Sequence, residues 1–253
     1  MTNIHLEVLL LLFFVAFFAG YLDTLAGGGG LITLPSLMLA GLPITAALGT
    51  NKLQSSFGSI TATLVLLRNK KIDLRIIRWP LLMAFLGGMV GAISVIWIDK
   101  ASLHWLVPSA LVVIIIYFLF AKQGEHSSES SATKIWIHTY LVSPLIGFYD
   151  GFLGPGTGSF FTASNLYFRA LNFVSAIGYA KPLNAATNVA ALLIFIFTDS
   201  IHWLAGIVMI FGQIVGSYLA AKRLHLYSAR SLRRLVVCVS FVLLTSYLIR
   251  EFL

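Results

Sequence analysis
A chain of 253 residues with 58% hydrophobic and 10% charged residues, and a mean hydropathy of +0.92, has too little polar surface to coat a water-soluble globule. Its solvent is lipid, and its net charge of +8 calls for no nucleic-acid partner: ten of the seventeen Lys and Arg residues sit in two short loops, "RNKKIDLRIIR" at 68–78 and "KRLHLYSARSLRR" at 222–234. The positive-inside rule produces such clusters, so both loops are expected in the cytoplasm.

Apolar stretches close to the ~20 residues that a crossing requires fall at 6–25, 45–67, 76–97, 102–121, 135–153, 173–197, 202–221 and 232–250, with two shorter pieces at 28–42 and 156–171. The first carries His5 and Glu7 at its start where a cleaved leader has a basic cluster, so it is expected to be a membrane helix. It runs into "LDTLAGGGG", an acid, Asp23, followed by Gly27, Gly28, Gly29 and Gly30. Unwound backbone at membrane depth survives only where protein or a water-filled cavity surrounds it. The glycines free backbone N–H groups and set the N-terminus of the next short helix at a break, a place that favours an anion. Tight helix packing is the competing explanation.

The span at 45–67 contains Lys52, with Ser55 and Ser59 on the same helical face. Thr50 and Asn51 just before it supply further donors or an N-cap. Gly87 and Gly91 have the small-xxx-small spacing of helix packing. A polar linker at 122–133 follows, and then the pattern repeats. In "GFYDGFLGPGTG" Asp150 lies over Asp23, Gly154 over Gly27 and Gly156 over Gly29; Lys181, with Asn184 and Asn188 on its face, lies over Lys52; Gly212 and Gly216 lie over Gly87 and Gly91.

The chain therefore divides into two transmembrane repeats, 1–121 and 134–253. The loop after the second long span is basic in the first repeat and has no Lys or Arg at 198–202, whereas the next loop is neutral at 99–102 and basic at 222–234. Equivalent loops on opposite sides indicate an inverted-topology repeat. Counting both short pieces as crossings gives five per repeat; a re-entrant hairpin is the alternative. The expected fold is an all-α integral membrane protein of eight long transmembrane helices plus two short broken or re-entrant helices.

Charges at bilayer depth cost a few kcal/mol or more and face a cavity or a partner. Lysine with hydroxyl, amide and backbone donors suits an oxyanion such as a sulfonate, sulfite or carboxylate, with Asp23 or Asp150 titrating to couple protons. In the alternative, Asp23 pairs with Lys52 and Asp150 with Lys181, tying each repeat together. No enzyme, metal or cofactor is expected: Cys238 is alone, the six histidines lack ligand spacing, no strand precedes the glycines, and "GTGS" at 156–159 has no nucleophile-elbow context. Partners reduce to the lipid bilayer and a small anionic substrate, with homo-oligomerisation left open. A membrane assembly factor would need larger loops.

The stretch from "GYLDTLAGGGGLITLPSLMLAG" through "GTNKL" to "RNKKIDLR" resembles the signature half of the sulfite exporter TauE/SafE family, also called the 4-toluene sulfonate uptake permease family. Its specific parts are Asp23 with the glycine turn, Pro35, and 49–53, and the second half follows the same spacing. The resemblance implies a bacterial inner-membrane permease for sulfite or organosulfur anions such as sulfonates and sulfoacetate. The second half departs from the pattern, with Thr157 facing Gly30, no proline matching Pro35, and Tyr179–Ala180 in place of a Thr-Asn pair.

Overall fold
The computed structural model describes residues 5–120, 130–224 and 229–252. Among them the chain is helical throughout, with no β-strand: α1 (Leu6–Ala26), α2 (Gly30–Leu39), α3 (Ile44–Arg68), α4 (Arg78–Ile96), α5 (Lys100–Phe120), α6 (Ala132–Ile137), α7 (Ser143–Phe152), α8 (Thr157–Arg169), α9 (Phe173–Phe197), α10 (Trp203–Lys222) and α11 (Ala229–Phe252). Side-chain caps start several of them: Asn172 accepts from Ser175 N–H, His202 from Ala205 N–H and Ser131 from Lys134 N–H. Most of the 122–133 linker, and 225–228 of the second basic segment, lie outside the described residues.

Four helical segments are long and apolar enough to cross a bilayer: Leu6–Ala26, Leu74–Ile96, Phe173–Phe197 and Trp203–Lys222. Four of the eight expected long spans therefore meet both criteria, and two others miss for separate reasons. Helix α3 is long but carries Thr50, Asn51, Lys52, Gln54 and Ser56, all buried inside the protein. The expected span 135–153 is a continuous right-handed helical run through α6 and α7, interrupted in its hydrogen-bond register by a π turn at His138–Val142. Pro144 has no N–H for the preceding turn, and the helix widens there while Ser143 Oγ donates to the His138 carbonyl. Helices α5 and α11 are 21 and 24 residues long and contain the apolar stretches 101–116 and 237–250.

Exposure is inverted relative to a soluble protein. Leu10, Phe14 and Phe18 of α1, Leu86 and Val90 of α4, and Phe211 and Val215 of α10 are exposed, whereas Lys52, Asp150 and Lys181 are buried. That distribution fits a hydrocarbon solvent outside and a polar interior.

Both short helices turn back along their predecessors. Val8, Leu11 and Leu12 of α1 share a groove with Ser36 and Leu39 of α2. Likewise Lys134 of α6 lies 5.4 Å from the Tyr167 ring of α8, and His138 bonds Ser164 at 3.3 Å. Helix α2 has 10 residues and α8 has 13, so at ~1.5 Å per residue each rises ~15–20 Å, short of the ~30 Å hydrocarbon core.

The largest contact surfaces join residues of one half to residues of the other: α1 packs along α10, α4 along α7, α3 against α9 and α10, and α9 against α4. Glycines set two of these contacts. A Cβ at Gly212 or Gly216 would overlap the carbonyls of Phe13 or Phe17, and one at Gly87 or Gly91 those of Pro144 or Phe148. Positions ascend together in both pairs, so α1 runs parallel to α10 and α4 to α7. These four glycines do what their spacing indicates, which is to let backbones touch.

Candidate functional site
The two breaks meet. Helix α1 ends at Gly27, whose φ of 75° is left-handed and whose N–H bonds the Asp23 carbonyl. Helix α7 gives way to a turn with Gly154 (φ 96°) and Gly156 (φ 86°) before α8 begins. Between them the backbones cross with no room for side chains: a Cβ on Gly158 would lie 2.8 Å from Gly27 Cα, one on Gly30 would lie 3.1 Å from Pro155 Cα, and one on Gly27 would overlap Ser159 N. Ser159 Oγ closes the crossing by donating to the Ala26 carbonyl. Gly28 and Gly29 turn the chain into α2, their carbonyls accepting from Leu31, Ile32 and Thr33 N–H.

Four charged side chains flank this crossing. Lys52 Nζ donates to Asp150 Oδ1 at 2.7 Å, with the two side chains 1% and 2% exposed. Lys181 Nζ donates to the Asp23 backbone carbonyl and lies 3.4 Å from Asp23 Oδ2, where the acid is 16% exposed. Each pair thus joins a lysine of one half to an acid of the other. Pairing within each half, Asp23 with Lys52 and Asp150 with Lys181, does not occur. The reason is topological: α3 and α9 pack face to face, so each lysine faces the break of the opposite hairpin.

The acids also sit where an anion is favoured. Asp23 Oδ1 accepts from Gly29 N–H at 3.0 Å, at the start of α2. Asp150 Oδ1 accepts from Thr157 Oγ1 at 2.9 Å, at the start of α8, while Oδ2 accepts from Thr187 Oγ1. Gly154 leaves space for this arrangement, since a Cβ there would lie 2.5 Å from Lys52 Nζ. The chain's own carboxylates therefore occupy both the lysines and the helix N-termini.

The remaining expected residues are placed differently. Asn51 Oδ1 accepts from Thr33 of α2 and from Gln54 Nε2, and Ser55 Oγ accepts from Gln54 as well, so these groups bond along α3 and toward α2. Asn188 Nδ2 donates to both the carbonyl and Oδ1 of Asn184, so these two asparagines bond each other. Sequence reasoning missed Thr187 and Ser159. Thr187 lies six residues beyond Lys181, off the face that the lysine stripe defines, and Ser159 stood out only as part of a rejected nucleophile pattern.

The loops at the ends of α3 and α9 form a second related pair of contacts. Thr50 Oγ1 accepts from His202 N–H at 2.9 Å, and Tyr179 Oη accepts from Asp73 N–H at 3.3 Å. Thr50 and Tyr179 are corresponding positions, so the substitution noted in the second half keeps a hydroxyl acceptor for the loop.

A family model described as "Sulfite exporter TauE/SafE" matches residues 12–247. The chain is 37% identical over 241 residues to a "Probable membrane transporter protein" of Haemophilus influenzae, covering 95% of this chain and 94% of that protein. It is 37% identical over 233 residues to the "Probable membrane transporter protein YfcA" of Escherichia coli, covering 92% and 86%. It is 36% identical over 244 residues to the "Probable membrane transporter protein ORF9" of a Sinorhizobium species, covering 96% and 93%. No solved structure gives a significant match. With its interior charges, lipid-adapted exterior and a match along nearly its whole length, the chain is a membrane transporter and belongs to the sulfite exporter TauE/SafE family.

Proposed function
We propose that the protein is an inner-membrane permease for a small oxyanion of the sulfite or organosulfonate class, built from two inverted repeats and working by alternating access. The observation that carries this reading is the pair of half-exchanged lysine–carboxylate contacts at the crossing of two helix breaks. Lys52 and Lys181 are the cations that draw the solute. Gly27 to Gly30, Gly154 and Gly156 supply backbone donors, and Asn51, Ser55, Asn184 and Asn188 orient the oxygens once the helices part. Asp23 and Asp150 hold the solute's place in its absence. Protonating either acid frees a lysine and a helix N-terminus together, which couples proton entry to anion entry.

The parallel pairs α1–α10 and α4–α7 each combine one helix from either half. The bodies that rock are therefore these mixed pairs, not the N- and C-terminal halves. Counting α2 and α8 as thin crossings puts both basic loops in the cytoplasm and inverts the second repeat relative to the first. Each short helix turns back along its predecessor, and a pair that returns the chain to its starting side as a re-entrant hairpin leaves the basic loops where this count puts them.

The test is flux of labelled sulfite and of a sulfonate into proteoliposomes, with and without a pH gradient. Saturable flux that rises with an inward proton gradient and is lost in Lys52→Ala/Lys181→Ala is expected. Gradient-independent flux removes the coupling and leaves an uncoupled facilitator. The tight Gly27–Gly158 approach and the near-complete burial of both lysines favour a second reading, in which the pairs are purely structural ties. Undiminished flux in the double variant selects that reading.

A further inference from the structure
The two ends of the α3–α9 pair are not alike. At one end a Cβ on Gly49 would overlap the Ser200 carbonyl, so the loop at 198–202 is sealed onto α3. At the corresponding position of the other half, Gly178 meets nothing closer than the Ile72 side chain at 3.1 Å and opens on a cavity of about 610 Å³. That volume lies within the ~300–1,000 Å³ of small-molecule sites. Asn69, Lys71, Asn172, Ser175 and Lys222 line it beside Gly178, on the face of the molecule that carries both basic segments. The Lys222 ammonium is held 4.3 Å from the Tyr218 ring centre, and the first turn of α9 adds the positive end of a helix. Lys181 lies one turn deeper on α9 than Gly178, on nearly the same face. Besides its bond to the Asp23 backbone carbonyl, its contact with the Asp23 carboxylate is the longer and more exposed of the two ion pairs, 3.4 Å and 16% exposed against 2.7 Å and 2%.

Building on the permease reading above, we infer that this cavity is a loading vestibule for a small sulfonate- or sulfite-like oxyanion, in which Lys71 and Lys222 gather the solute and pass it to Lys181. The protein as described is open toward its basic face and closed at Ser200. Lys181–Asp23 is then the pair that opens first, and Lys52–Asp150 is the lock on the far side.

The test reads the vestibule without transport. In a Cys238→Ser background, Ser175→Cys and separately Val174→Cys are reconstituted and treated with two membrane-impermeant methanethiosulfonates, one bearing a sulfonate and one a trimethylammonium. The ratio of anionic to cationic labelling rates is expected to fall about tenfold when Lys71→Gln and Lys222→Gln are added, because a cationic cleft concentrates counter-ions by that order. Methanesulfonate is expected to slow labelling, and to do so still in Lys52→Ala/Lys181→Ala. Protection that persists while flux survives the loss of both deep lysines keeps the vestibule and defeats the permease site. An unchanged ratio, or no protection by methanesulfonate at either cysteine, overturns the vestibule. Rates that respond to phosphatidylglycerol content and not to methanesulfonate assign the cavity to lipid headgroups and overturn it as well.

Discussion
Removing one member of a buried ion pair strands the other, and the crossed pairing makes that loss specific to one partner. Lys52 and Asp150 touch at 2.7 Å with side chains 1% and 2% exposed, where breaking a pair costs about 3–5 kcal/mol while replacing both partners is close to neutral. Lys52→Met leaves the carboxylate with the hydroxyls of Thr157 and Thr187, so its cost belongs near the lower figure. Asp150→Asn takes from Lys52 its carboxylate, so its cost belongs near the upper one. The double variant, with an amide still facing both threonines, is expected to cost less than either single change. Reversible unfolding in mixed micelles, followed by circular dichroism, measures the cycle. The companion cycle of Lys52→Met with Asp23→Asn joins residues of the same half that belong to different pairs, and far weaker coupling is expected there. Additive costs for Lys52 and Asp150, or stronger coupling of Lys52 to Asp23, refute the crossed arrangement.

Two further perturbations probe other levels of the fold. Gly27→Ala forces a side chain into both a left-handed φ of 75° and the backbone of Ser159, whereas Gly41→Ala has a φ of 85° with nothing within 4 Å. The second is expected to cost only the conformational ~1–2 kcal/mol, and the first several times as much, read as folded yield by fluorescence-detected gel filtration; equal yields would show that the crossing tolerates separation. At the start of α5, Asp99 accepts from the Ser102 hydroxyl at 2.7 Å and from its N–H at 2.8 Å, and these bonds hold its carboxyl below the ordinary range. A depressed folded value means that the stabilisation is present above pH ~4 and is lost as pH falls through the folded value. Asp99→Ala is therefore expected to melt lower than the parent at pH 7, with the difference shrinking as pH falls below the ordinary carboxylate range.

Helix positions were legible because hydropathy and length are local properties. The segments expected at 6–25, 45–67 and 173–197 are found at 6–26, 44–68 and 173–197. The widened turn within 135–153 was less so, since Pro144 reads equally well as the first-turn residue of a new helix or as part of a π turn in a continuing one. At the site, the charged residues and glycines were visible because such residues are expensive in lipid. Who pairs with whom was not, because repeat matching aligns Asp23 with Asp150 and Lys52 with Lys181 and is silent on how two halves interlock. The partner of Asn51 was hidden for a similar reason: one residue from Lys52 is 100° around the helix, and there its Oδ1 accepts from Thr33 of α2.

The exchange of acids and lysines between halves has a consequence for ancestry and for gene design. A half inserted alone would carry into hydrocarbon one ammonium and one carboxylate, each without the partner it has in the full chain. The other half supplies both partners at once. Such a chain is, in chemical terms, a fusion of two mutually dependent halves, and its two fragments should assemble only when synthesised together.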